Sequence, residues 1–100
     1  MVLLIKTQLG DFKNHDSRDI YYFDVSTPGQ LNITINSLNS LGMNWMLYKE
    51  TDLKNYVAYS QTSGSKLTGS YNAQPGRYYL YVYRYSGTTG SYNINIDGIK

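Results

Sequence analysis

Cysteine is absent from the 100 residues, which excludes a disulfide framework and thiolate chemistry, though it does not fix a compartment. Histidine occurs once, as His15, and glutamate once, as Glu50. His15 sits in the polar stretch Asn14-His15-Asp16-Ser17-Arg18-Asp19, where neighbouring Ser and Asp do not by themselves make a triad, because triads are defined by geometry. Zinc usually needs several His or Cys ligands, Glu50 has no evident acid/base partner, and the glycines occur singly with no phosphate-cradling loop. The reading is of a chain that is not an enzyme. Charge is also scarce: charged residues make up 16% and the net charge is +2, with no basic run to follow a phosphate backbone. Nucleic acid and membrane surfaces are therefore not expected partners. The one apolar run, Val2-Leu3-Leu4-Ile5, is far too short for a secretory core or a membrane span.

What the chain has in excess is tyrosine, 12 of its 15 aromatic residues. Together with many β-branched residues and few charges, this points to a single all-β domain over residues 1–100. No long helical periodicity is present. Alternation recurs instead, broken by turns at roughly 8–12-residue spacing, as in sandwiches and barrels. Leu3, Ile5, Thr7 and Leu9 alternate, as do Tyr21, Phe23 and Val25. Leu31, Ile33 and Ile35 alternate with Asn32, Thr34 and Asn36; Trp45 shares a phase with Leu47; Tyr92, Ile94 and Ile96 alternate with Asn93 and Asn95. Residues 55–60 and 66–71 read as weaker strands around Ser63-Gly64-Ser65. Thr27-Pro28-Gly29 predicts a type II turn, and Gln74-Pro75-Gly76 repeats the Pro-Gly signature. About eight strands result, enough for two packed antiparallel sheets.

The run Arg77-Tyr78-Tyr79-Leu80-Tyr81-Val82-Tyr83-Arg84-Tyr85 is the most informative segment. A strand sends alternate side chains to opposite faces. Tyr78, Leu80, Val82 and Arg84 form a mostly apolar set suited to a core. Tyr79, Tyr81, Tyr83 and Tyr85 form a row of phenols on the other face, which reads as a binding surface. Asp11, Asp16 and Asp19 also cluster, with Asn14 and Ser17 between them. Oxygen-only side chains suit calcium, but three carboxylates do not fill a shell of six to eight oxygens, and Asp, Asn and Ser also dominate ordinary turns.

The string Asp16-Ser17-Arg18-Asp19-Ile20-Tyr21-Tyr22-Phe23-Asp24-Val25, the Pro28-Gly29 pair, Trp45-Met46-Leu47-Tyr48 and the segment from Pro75 to Gly87 occur together in order. In this combination the chain, from about Gly10 to Ile96, resembles the C-terminal collagen-binding domain of secreted bacterial collagenases, within the bacterial pre-peptidase C-terminal domain group. The resemblance implies a jelly-roll β-sandwich without catalysis that anchors a peptidase to triple-helical collagen. It places Tyr83 and Tyr85 on the essential binding tyrosines, with Tyr81 beside them and Tyr59 as a further one. Met46, Leu80, Arg18 and Lys13 complete the implied contact set. It also implies a calcium pair, with Asp11, Asp16 and Asp19 as ligands and Tyr92 contributing a backbone carbonyl.

Members of that family carry an acidic linker of the Glu-Pro-Asn type ahead of the sandwich, and this chain begins after its position. The expectation is an incomplete, weak calcium site. A domain cut from a longer secreted metallopeptidase, extracellular and monomeric, with Met1 added, fits the same resemblance. Two other functions remain open at this point: a carbohydrate-binding module, because rows of planar rings also stack on sugars, and a structural accessory domain that binds nothing.

Overall fold

A computed structural model describes residues 2–3, 7–12, 18–37, 42–63, 66–86 and 90–98. Ten strand segments are present: β1 (Val2–Leu3), β2 (Thr7–Phe12), β3 (Arg18–Val25), β4 (Gly29–Ser37), β5 (Gly42–Lys49), β6 (Ala58–Tyr59), β7 (Gln61–Ser63), β8 (Lys66–Ala73), β9 (Gly76–Ser86) and β10 (Gly90–Asp97). Two of them, β1 and β6, are only two residues long, leaving eight longer strands and no helix among the described residues. The first sheet has the order β1-β3-β9-β5-β6 and the second β2-β10-β4-β8-β7. All pairings are antiparallel except the short β1–β3 contact. The architecture is the all-β jelly-roll sandwich.

The two sheets meet through the apolar phase of each strand. Tyr21, Phe23 and Val25, then Tyr78, Leu80 and Val82, then Met43, Trp45 and Leu47 are buried from the first sheet. Leu31, Ile33, Ile35, Leu67, Tyr92, Ile94 and Ile96 oppose them from the second. Fully burying one large aliphatic side chain is worth about 1.5–3 kcal/mol, so this alternation drives the fold. Trp45 sits at the centre: its indole N–H donates to the Leu67 carbonyl at 2.9 Å. Its ring also lies where a Cβ on Gly69 would be, 2.7 Å from the nearest ring carbon. Glycine at 69 therefore leaves the room the indole fills.

One polar chain crosses the core. The Tyr21 and Tyr92 hydroxyls are 2.6 Å apart, and the Tyr92 hydroxyl donates to Asp19 Oδ2 at 2.5 Å. Tyr92 has one proton to give, so Tyr21 donates to Tyr92 and the relay runs from Tyr21 through Tyr92 to Asp19. Burial, the bond to Asp19 and the bond to Tyr21 all push the Tyr92 phenol far above its ordinary value. The relay ties β3 of one sheet to β10 of the other. Tyr92→Phe is expected to lower unfolding free energy by about 1–3 kcal/mol, because it breaks both bonds while keeping the ring, and urea titration measures this.

Several sequence expectations are corrected. Leu3 and Thr7 do not share a strand: β1 and β2 belong to different sheets. Gly29 already lies in β4, paired with Ala73, and its φ is not positive, so Pro28-Gly29 makes no type II turn. Gly76 does carry a positive φ, +145°, at the start of β9. The Tyr78 hydroxyl holds that turn, accepting from Gln74 N–H at 3.0 Å and donating to its carbonyl at 2.9 Å. Residues 55–57 are not strand. The Asp52 carboxylate there accepts from the backbone N–H groups of Lys54 and Asn55 at 3.2 and 3.3 Å, and this local turn displaces strand pairing.

Candidate functional site

Strand β9 is central in the first sheet, so its outward tyrosines are flanked on both sides. The register fixes their neighbours. Tyr81 lies opposite Ile20 on β3 and Met46 on β5, and Met46 lies opposite Tyr59 on β6. One row thus runs Ile20, Tyr81, Met46, Tyr59 across four strands, about 14 Å wide at ~4.8 Å per strand. The next row holds Arg18, Tyr83 and Asn44, and the row on the other side Tyr22, Tyr79 and Tyr48. All of these residues are half-buried except Arg18 and Tyr59, which are exposed. The rings of Tyr81 and Tyr83 pack at 5.7 Å between centroids, tilted by 44°.

Ile20, Tyr48, Leu53, Tyr79 and Tyr81 line a shallow hollow of about 350 Å³ on this face. Leu53 and Tyr56, from the β5–β6 connection, project beside it with 61% and 50% of their surface exposed, and Tyr59 with 51%. Burial, reinforced by the neighbouring phenols Tyr81, Tyr83 and Tyr56, raises the Tyr48 hydroxyl above its ordinary value. Its O–H donates weakly to the Met46 sulfur at 3.6 Å. The face is therefore aromatic and studded with hydroxyls, with the Arg18 cation at its edge.

At one end the Arg77 guanidinium grips Asp24 with two bonds, of 2.8 and 3.2 Å, and stacks 4.6 Å from the Tyr22 ring centroid. The hydrogen bond from Arg77 holds the Asp24 carboxyl below its ordinary value of 3.8. A carboxyl lowered in the fold stabilises it above the unfolded value, and that contribution is lost as pH falls through the folded one. The urea midpoint is thus expected to drop as pH falls from about 5 to below about 3, and Arg77→Ala should remove a small part of that drop, both groups being exposed.

Of the contact residues expected from sequence, Tyr59, Tyr81, Tyr83, Met46 and Arg18 come together on this face. Leu80 does not: it is fully buried in the sandwich, because its position in β9 is one residue out of phase with the tyrosine row. Tyr85 continues β9, with its side chain outside the described set, and Lys13 lies outside the described residues. Ile20 and Tyr48 were not in the expected set. Their signal was available, since each occupies the outward phase of an otherwise apolar strand.

For calcium, the donor chemistry is partly legible. Asp11 on β2 is paired with Ser91, beside Tyr92, and the Asp19 carboxylate is held by the Tyr92 hydroxyl. Tyr92 thus adjoins Asp11 along the second sheet and reaches across to Asp19 in the first. Asp16 lies outside the described residues, and among those described no group of three or more His, Cys, Asp or Glu side chains meets at a point.

Fold and surface together define a β-sandwich module with an aromatic sheet face. Residues 17–84 match the bacterial pre-peptidase C-terminal domain. The chain is 48% identical over 89 residues to collagenase ColT of Clostridium tetani, covering 89% of this chain and 9% of that protein. It is also 48% identical over 90 residues to collagenase ColA of Clostridium perfringens, covering 89% of this chain and 8% of that protein. The chain therefore spans less than a tenth of the length of these curated relatives. Among solved structures, the pre-peptidase C-terminal domain of a collagenase from Bacillus anthracis superposes with a TM-score of 0.88 at 35% identity, covering 96% of this chain and 91% of that one. The chain belongs to the bacterial pre-peptidase C-terminal domain family.

Proposed function

We propose that this domain binds triple-helical collagen through the outer face of its first sheet and so anchors a secreted collagenase to its substrate. The observation that carries the reading is the row Ile20, Tyr81, Met46 and Tyr59, with Arg18 and Tyr83 beside it. Collagen is a rod of three polyproline-II-like chains whose imino-acid rings point outward, with no deep feature to grip. A broad, slightly hollowed sheet face suits such a rod. Tyrosine rings pack against proline rings, their hydroxyls donate to collagen carbonyls, and only two torsions per side chain are frozen. The hollow lined by Ile20, Tyr48 and Tyr81 would seat an imino-acid ring. A few such anchors make a contact at the small end of interfaces, with affinity around micromolar. A structural accessory domain would need the core alternation but not this exposed aromatic row.

Co-sedimentation with fibrillar collagen, with gelatin and an insoluble polysaccharide as controls, tests the reading. Selective retention by the fibres is the expected result, and it should change little as salt is raised, since rings and not charges carry the contact. The same reading makes the domain extracellular, monomeric and part of a longer peptidase. Asp11, Asp16 and Asp19, with the Tyr92 carbonyl, would hold calcium weakly, neutralising those carboxylates. A small rise in melting temperature with calcium over chelator is the outcome expected.

A further inference from the structure

A second concavity lies on the outer face of the other sheet and meets the tyrosine face only along its wall. It measures about 600 Å³, within the usual size of small-molecule sites, and opens to solvent. Its floor is built from two cross-strand pairs, Asn32 opposite Ser70 and Thr34 opposite Thr68, with Gln61 opposite Thr68 on the next strand. Its wall is the segment from Tyr56 to Tyr59. Among the described residues no acidic or basic side chain lines it.

We propose that this groove binds a neutral, hexose-based saccharide. Three features lead there. The floor presents hydroxyls and amides, groups that both donate and accept, which is what a ring of hydroxyls requires of its partner. Those groups stand on neighbouring strands about 5 Å apart, the scale of hydroxyls at opposite ends of one pyranose. The Gln30 amide donates to Asn32 Oδ1 at 3.3 Å, which orients the Asn32 amide N–H groups to donate onward. The wall supplies two half-exposed rings, Tyr56 and Tyr59, packed edge to face with centroids 5.3 Å apart, and an aromatic ring is the natural partner of a sugar's apolar C–H face. The absence of charge in the lining disfavours sulfated, phosphorylated or acidic ligands, which would leave their charge unpaired on binding.

The site shares with the tyrosine face only its wall, where Tyr56 and Tyr59 border both. The test therefore uses floor residues. The ¹⁵N-labelled 100-residue chain is titrated with cellotriose and maltotriose, standing for internal sugars of a polysaccharide, and with lactose, standing for the terminal galactose of a glycosylated protein. Saturable shifts at the amides of Asn32, Thr34, Thr68 and Ser70 in any arm support the site, and the responding arm identifies the source.

Asn32→Ala/Ser70→Ala should then bind about tenfold more weakly, as expected for two lost hydrogen bonds. Should that variant not fold, Thr34→Val/Thr68→Val removes only hydroxyls from β-branched strand residues and reads the same loss. No shift with any of the three sugars at tens of millimolar, shifts confined to the Tyr79–Tyr83 face, or undiminished binding by a folded variant would each overturn the proposal. Collagen binding is read separately and should be unchanged in both variants.

Discussion

Tyr81→Ala and Tyr83→Ala should each weaken binding to a triple-helical collagen peptide by roughly 30-fold or more, about 2 kcal/mol, as expected of aromatic anchors near the centre of an interface. Tyr81 is the middle of its row, with Ile20 on one side and Met46 on the other, and its ring packs on Tyr83. Removing either ring opens a gap under the ligand and exposes its neighbour's flank. The backbone of β9 stays paired on both sides and the core phase of Tyr78, Leu80 and Val82 is untouched, so the variants should remain folded. Tyr83→Phe separates the ring from the hydroxyl. If packing dominates, it should lie much closer to the parent than Tyr83→Ala, and surface plasmon resonance on immobilised triple-helical peptide measures all three. Equal binding by Tyr81→Ala, Tyr83→Ala and the parent would remove the tyrosine face from the account.

Trp45→Ala should lower unfolding free energy by roughly 3–5 kcal/mol, the cost of emptying a large buried aromatic site. The indole is fully buried, its N–H is paired with the Leu67 carbonyl, and its truncation leaves that carbonyl without its donor. Domains of this size have total stabilities of about 5–15 kcal/mol, so the variant would sit near the edge of folding. The opposite error is available at the same place. A methyl on Gly69 would fall 2.7 Å from one Trp45 ring carbon and 2.9 Å from the Tyr59 carbonyl oxygen, neither of which is the loose end of a flexible chain. Gly69→Ala should therefore cost about 1–3 kcal/mol by overpacking. Combining Gly69→Ala with Trp45→Phe should recover part of that loss, a coupling that independent sites would lack. Urea unfolding of the parent, Trp45→Ala, Gly69→Ala, Trp45→Phe and the double variant, followed by circular dichroism, gives each value.

The alternation of β3, β4, β5, β9 and β10 was legible because each strand is half-buried and the side-chain period is two. The same period condemned Leu80 as a contact: it neighbours the outward-facing Tyr79 and Tyr81 in sequence and faces the opposite way in space. The lateral assembly of the surface was not legible. Ile20, Met46, Tyr59 and Tyr81 are distant in sequence, and only strand register sets them side by side. Leu53 and Tyr56 lie in a turn-rich connection with no period to betray them. The two Pro-Gly pairs look alike as dipeptides, yet only Gly76 takes a positive φ, because Gly29 is already held in the ladder with Ala73. The groove across Asn32, Thr34, Thr68 and Ser70 was hidden for a related reason: its residues read simply as the polar phase of two strands.

The most direct measurement is a calorimetric titration of this domain with a triple-helical collagen-model peptide, repeated above the peptide's melting temperature but below that of the domain. The account predicts saturable binding of about micromolar affinity to the triple helix and its loss when the three chains separate. Equal binding to helix and separated chains, or no binding by the folded domain with calcium present, would contradict it.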